Sequence, residues 1–256
     1  MSTLLEVKNF SKNFGGLKAV DDVSFKVQEG AIKAVIGPNG AGKTTLFHLI
    51  SGYLEPDNGT AVFIDNDIHN LKPYQVAKSG ISRTFQHIRL FHGMTALENV
   101  MVGCHTRSKA GFLAGMLHLP NSRVEERIIK EKAMEALKFV GADQYADSDA
   151  MSLAFGQQRA VELARALASE PKLLLLDEPA AGLNMHETAE VAKLIKRIRD
   201  EAGITVLIVE HDMSLVMNIS DEILVLSYGK KIAEDEPLAI QKNEEVIKVY
   251  LGDDDA

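Results

Sequence analysis

Cysteine is almost absent. Cys104 stands alone in 256 residues, so no internal disulfide framework can form, and an inert thiol in a reducing compartment is expected. Long hydrophobic runs are missing too. Met1–Asn9 carries no apolar signal core, and the most apolar stretch, Ala110–Pro120, is too short to span a bilayer. The expectation is a cytoplasmic chain that does not itself cross a membrane. Positive charge is in deficit: 28 Lys and Arg face 36 Asp and Glu, a net charge of −8, which gives no general attraction to DNA or RNA phosphates. No internal repeat and no low-complexity linker interrupts the sequence. What remains is 46% hydrophobic and 25% charged, enough to bury a sizeable core, and reads as one large α/β domain with room for a subdomain.

The most informative segment is Gly37-Pro38-Asn39-Gly40-Ala41-Gly42-Lys43-Thr44, followed by Thr45, which fits the phosphate-cradling pattern G-x-x-x-x-G-K-S/T at every required position. Its flanks agree with it. Ala31–Ile36 is a β-branched-rich run suited to a buried strand, and Thr45–Ser51 suits a helix. Glycines 37, 40 and 42 let the backbone turn tightly and aim several N–H groups, with the helix N-terminus, at an anion. Lys43 is placed to reach the β- and γ-phosphates of a nucleoside triphosphate, and the Thr44 hydroxyl to ligate Mg²⁺.

Around this loop, Leu4–Val7, Val23–Val27 and Ala61–Ile64 read as short strands separated by Glu29-Gly30 and Pro56-Asp57-Asn58-Gly59 turns. Residues 94–149 change character to helix, including Ser122–Phe139 with apolar residues near a 3.6 period, so a helical insert is predicted between core segments 1–93 and 150–256. Strands resume at Leu173–Leu176, Ile204–Val209 and Ile223–Leu226, with a helix around Glu187–Ala202 that stops at Gly203. Strand alternating with helix argues a parallel, covered sheet. The Asp253-Asp254-Asp255 tail reads as a solvated, frayed end.

A second chemical element is Leu173-Leu174-Leu175-Leu176-Asp177-Glu178-Pro179, a buried strand that delivers two carboxylates at its C-terminal end, where α/β sheets place their ligands. Asp177 suits a Mg²⁺ ligand, and Glu178, pointing elsewhere, a group that polarises the water attacking a γ-phosphate.

Together these segments resemble the ATP-binding subunit of an ABC transporter. The family's order is matched by Gly37–Thr44, the glutamine of Thr84-Phe85-Gln86, a signature-like Leu153-Ala154-Phe155-Gly156-Gln157-Gln158-Arg159, Leu173–Glu178, Ala181-Gly182-Leu183-Asn184 and Glu210-His211-Asp212, which covers nearly the whole chain. Within the family the chain looks closest to the branched-chain amino acid subgroup. The strings that carry this are Arg83–Phe91, Asp177–Asn184, Glu210–Met217 and Val246–Gly252. Urea and lipopolysaccharide systems have near-related ATPases, and these stay open as alternatives.

The resemblance implies a phosphate-loop fold of the ABC ATPase type: a mixed-sheet core, an antiparallel β subdomain and a helical subdomain. It also implies roles. Phe14 would stack on adenine with Val20 beside it. Asn39, Gly40, Ala41, Gly42, Lys43, Thr44 and Thr45 would wrap the phosphates, and Thr44, Asp177 and Gln86 would serve Mg²⁺. Glu178, His211 and Lys43 would carry out hydrolysis, with His211 contacting the γ-phosphate. Ala154, Gly156 and Gln157, opening a helix to about Ala168, would face the nucleotide of a second ATPase subunit, either a copy or a different chain. Two transmembrane permease subunits and an extracytoplasmic solute-binding protein would complete the assembly, placing this chain peripherally on the cytoplasmic face of the inner membrane. Ala110–Pro120 is either a contact for those permeases or ordinary packing within the insert.

Three departures stand out. Ala154 replaces the more usual Ser, Phe155 a Gly, and Asn184 an Asp, and the branched-chain subgroup resembles this sequence at both places, the signature and Asn184. Other classes fit less well. A ribosomal ABC ATPase would carry two cassettes and a DNA-repair type a long coiled coil, while a GTPase needs an N-K-x-D guanine reader. A kinase leaves the signature and His211 unexplained.

Overall fold

The computed structural model describes residues 2–104 and 120–251. Two units divide the chain: Met1–Arg83 with Lys172–Ala256, and Thr84–Pro171. Elements are numbered along the chain.

The first unit is built on a six-stranded sheet. Its strands β3 (Ile32–Ile36), β7 (Leu173–Asp177) and β8 (Thr205–Val209) are buried at every position, which is why they read as largely apolar runs. They run parallel to β6 (Ile81–Arg83) and β9 (Glu222–Ser227). Antiparallel β10 (Lys230–Asp235) closes one edge, giving the order β10-β9-β3-β8-β7-β6. The mixed sheet implied by the resemblance is what the structure shows, parallel strands carrying one antiparallel edge strand. A two-residue turn at Tyr228 and Gly229, both at positive φ, folds β10 back, and its charged composition, which guards a sheet edge, masks the strand pattern.

Lys33 is the exception within buried β3. Its Nζ donates to the Lys26 carbonyl at 2.7 Å and to Glu222 at 2.7 Å, and also pairs with Glu234, so the charge is fully compensated.

A second, antiparallel sheet in this unit has the order β2-β1-β4-β5. Here β1 (Thr3–Phe14) and β2 (Leu17–Gln28) run 12 residues each, well beyond the short segments expected. Asn9 and Asp22, both left-handed, sit where the register shifts, and the Asn9 amide donates to Asp22 at 2.7 Å. β4 (Asn58–Phe63) and β5 (Asn66–Asp67) complete it. One core spans both sheets and helix α1 (Lys43–Ile50), with Phe10, Phe47, Phe63, Leu46 and Leu226 fully or almost fully buried. The unit also holds α2 (Pro73–Ser79), α6 (Met185–Asp200), α7 (Met213–Ile219), α8 (Pro237–Ile240) and α9 (Glu244–Leu251).

The second unit packs α3 (Ala96–Cys104), α4 (Pro120–Phe139) and α5 (Phe155–Ala168) around a core that includes Leu97, Val100, Leu137 and Val161. Gly103 brings α3 close to α5: a Cβ there would stand 2.1 Å from the Arg165 carbonyl. The unit takes in residues on both sides of the 94–149 span read as helical from sequence. Cys104 is buried, and burial pushes its thiol pKa up, as an unreactive cysteine requires. Of the stretch Ala110–Pro120, all but the last residue lies outside the described residues, as does the acidic tail. Among the described residues no helix is long and apolar enough to cross a membrane.

Candidate functional site

The phosphate loop joins β3 to α1 at the C-terminal edge of the parallel strands. Two of its glycines are fixed by their neighbours. Gly37 (φ +150°) would drive a Cβ to 2.1 Å from the Leu226 carbonyl oxygen, and Gly42 (φ +100°) to 2.3 Å from that of Ala19. Backbone bonds from Ala41 N–H to Pro38 O (3.1 Å) and from Gly229 N–H to Ala41 O (3.1 Å) hold the curve between them. Gly42 caps α1 without any side-chain acceptor, which leaves the first helical N–H groups for an anion. Asn39, Gly40 and Thr44 are exposed, Thr45 is half-buried and Ala41 is buried.

The Lys43 ammonium is buried and folds back over its own loop, donating to Gly37 O at 2.6 Å and Pro38 O at 3.0 Å. Burial lowers its pKa, opposed by the negative charges of Glu178 and Asp177, so the loop and both carboxylates share one electrostatic neighbourhood. Asp177 ends β7 with its side chain almost entirely buried, where it accepts from Arg83 Nη2 at 2.7 Å. Arg83 also donates from Nη1 to Ser51 Oγ at 2.8 Å and lies over the rings of Phe47 and Tyr53.

Glu178 follows in the left-handed region (φ +49°), an unfavourable conformation for a glutamate. Its N–H donates to Val209 O and its carbonyl accepts from Ala181 N–H, so a tight turn spans 178–181. His211, beyond the end of β8, is exposed. Its Nδ1 lies 3.7 Å from Glu178 Oε2 and 3.9 Å from Glu210 Oε2.

The described residues include no cluster of three or more His, Cys, Asp or Glu that could hold a metal. The oxygens near the loop, the Thr44 hydroxyl and the Asp177 carboxylate, are hard donors too few to cage an ion alone. Such a set suits Mg²⁺ completed by water and phosphate rather than a thiolate or imidazole metal.

At the tip of the β1–β2 hairpin, Phe14 pairs with Leu17, and both are exposed, so Phe14 is not a core residue. Val20 is fully buried in the first core, and the exposed apolar surface here comes from Phe14 and Leu17.

The remaining expected residues belong to the second unit. Gln86 is exposed. Ala154 stands at the N-cap of α5, where its N–H donates to the side chain of Gln157 at 3.0 Å, and Gly156 lies in the first turn. A buried pair on α5 ties this helix to the segment at Gln86: Arg159 donates to Phe85 O at 2.7 Å and to Gln86 O at 2.9 Å, while Glu162 accepts from Arg159 at 3.1 Å and from Arg89 N–H at 3.2 Å. Burial raises the Glu162 pKa against the charge of Arg159.

Sequence reasoning passed over Arg83, Glu162 and Glu210. Arg83 and Glu210 lie inside strings that carried the family resemblance and Glu162 three residues beyond one, but only burial separates a structural charge from a solvated one.

Residues 20–181 match the sequence model of the family described as ABC transporter, and residues 230–256 that described as branched-chain amino acid ATP-binding cassette transporter. Over 250 residues the chain is 44% identical to the high-affinity branched-chain amino acid transport ATP-binding protein BraF of Pseudomonas aeruginosa, covering 98% of each. Among solved structures it resembles an ATP-binding cassette of an ABC transporter in an ADP conformation, with a TM-score of 0.85, 34% identity and coverage of 99% of this chain and 100% of the other. A dimeric post-hydrolysis cassette bound to ADP and phosphate matches with a TM-score of 0.77, 26% identity and coverage of 91% and 98%.

Proposed function

From the premise that this chain belongs to the ABC transporter ATP-binding family, we propose that it is the ATP-hydrolysing subunit of an importer for branched-chain or related hydrophobic amino acids. The observation that carries the hydrolytic reading is the meeting of Lys43, Asp177, Glu178 and His211 at the C-terminal edge of the parallel strands of one sheet. The solute class is supported by the match of residues 230–256 and by the likeness to BraF.

Adenine stacks on Phe14 beside the hairpin that carries Val20. The triphosphate enters the loop over Asn39, Gly40, Ala41, Gly42, Lys43, Thr44 and Thr45, and Lys43 exchanges the Gly37 and Pro38 carbonyls for phosphate oxygens. Thr44 and Asp177 would hold Mg²⁺, which would supply positive charge to offset that of the phosphates, and Gln86 is the further residue assigned to the ion by the family resemblance. Glu178 accepts the proton of the attacking water, and His211 holds the γ-phosphate side of that water. A second cassette completes the site with the backbone N–H groups of Gly156 and Gln157 at the start of α5, beside Ala154. Closure of the pair then depends on the γ-phosphate, and hydrolysis releases it. Two permease subunits, supplied by an extracytoplasmic solute-binding protein, turn that cycle into import, with this chain peripheral on the cytoplasmic face of the membrane.

Reconstitution with the permease and binding-protein subunits in liposomes tests the reading. Leucine, isoleucine or valine should stimulate ATP hydrolysis and accumulate inside. Stimulation by urea with none by these amino acids would overturn the solute class.

A further inference from the structure

We propose that Glu210 is a positioning residue that fixes the turn following Glu178 to the peptide of His211, and so sets the placement of these two side chains relative to each other. The inference rests on the reading that Glu178 and His211 act together at the γ-phosphate.

Glu210 directly follows β8 and is fully buried. Its carboxylate is a fork with one prong in each loop. Oε1 accepts from the Ala180 N–H at 2.8 Å, and Oε2 accepts from the N–H groups of His211 at 3.1 Å and Asp212 at 3.5 Å. Ala180 lies inside the tight turn that holds Glu178 in its left-handed conformation, since Ala181 N–H closes that turn onto Glu178 O at 3.1 Å. The imidazole of His211 stands within 4 Å of an oxygen of both Glu178 and Glu210. Burying a carboxylate is costly, and burial pushes the Glu210 pKa up, against the three N–H donors and the charge of His211. The chemistry of the fork explains why a carboxylate stands here. An ionised carboxylate accepts on both oxygens, whereas an amide presents an acceptor to one loop and a donor to the other, where it meets further donors.

Glu210→Gln keeps size and shape while losing one prong. Measured on the purified full-length chain, it should bind ATP with Mg²⁺ within about threefold of the parent, leave KM within about threefold, and lower kcat by about tenfold or more. Because Glu210 acts by relating His211 to Glu178, the same substitution in a His211→Ala background should lower single-turnover hydrolysis by less than about twofold. A kcat within about twofold of the parent, or an equal loss with and without His211, overturns the proposal. Should Glu210→Gln not fold, Glu210→Asp, which keeps the charge but falls short of Ala180, carries the same comparison. Glu178→Gln and His211→Ala run alongside. If both hydrolyse at the parent rate, the reading of the site fails and takes this proposal with it. If both are impaired while Glu210→Gln is not, only the role of Glu210 falls.

Discussion

Replacing Arg83 by Met removes a cation from the interior and leaves the Asp177 carboxylate behind. The two side chains are 6% and 5% exposed and 2.7 Å apart, so solvent screens their interaction little. Taking one partner from a buried pair costs about 3–5 kcal/mol, because the survivor keeps its desolvation penalty without compensation. Losing the 2.8 Å bond to Ser51 Oγ adds about 1 kcal/mol. The apolar stem of Met still packs against Phe47 and Tyr53, so little is lost there. A destabilisation of about 4–6 kcal/mol is a large part of the 5–15 kcal/mol typical of folded domains. At roughly 2–4 °C per kcal/mol in a chain of this size, Tm of the nucleotide-free protein should fall by about 8–24 °C in a thermal scan read by circular dichroism. The double variant Arg83→Met, Asp177→Leu removes both charges and should recover more than half of that fall. A loss below about 1 kcal/mol for Arg83→Met alone, the value of an exposed pair, would refute the reasoning.

Further outcomes follow from the same geometry. Lys43→Ala removes the charged donor beside Gly37 and Pro38, and should weaken ATP binding by about 10- to 100-fold in a fluorescent-nucleotide titration, since a hydrogen bond to a charged group contributes about 1.5–3 kcal/mol; equal affinity would remove Lys43 from the site. Gly42→Ala places a methyl 2.3 Å from the Ala19 carbonyl oxygen at φ +100°, so it should cost both stability and nucleotide affinity, and normal behaviour in both would contradict the described loop. Glu178→Gln should retain binding and lose about 10²- to 10⁴-fold in phosphate release, the range of a positioned general base. Hydrolysis at the parent rate would exclude Glu178 as that base.

Elements buried on both faces were plain in the sequence. Leu173–Leu176 and Ile204–Val209 lie within one residue of strands β7 and β8, because a covered parallel strand has no solvent side to dilute its apolar pattern. The distal halves of β1 and β2 were hidden for the opposite reason. Asn9–Phe14 and Leu17–Asp22 are mostly polar, and what makes them strands is the ladder between them, with bulges at Asn9 and Asp22 that no periodicity announces. β10 was lost beneath its edge charges, and Lys33 gave no hint within an apolar run that it meets Glu222 and Glu234. The phosphate loop was fully legible because steric demands fix its glycines locally. Glu210 was not, since its role arises from partners 30 residues upstream that only the fold brings near.

The Arg159–Glu162 pair has a mechanical consequence. Two carbonyls and one N–H of the 85–89 strip terminate on side chains less than one helical turn apart, near the front of α5. That strip therefore has no freedom to swing independently of the helix. A push delivered at Gln86 reaches Ala154 as bodily displacement rather than as bending, and whatever works this junction works both ends in step.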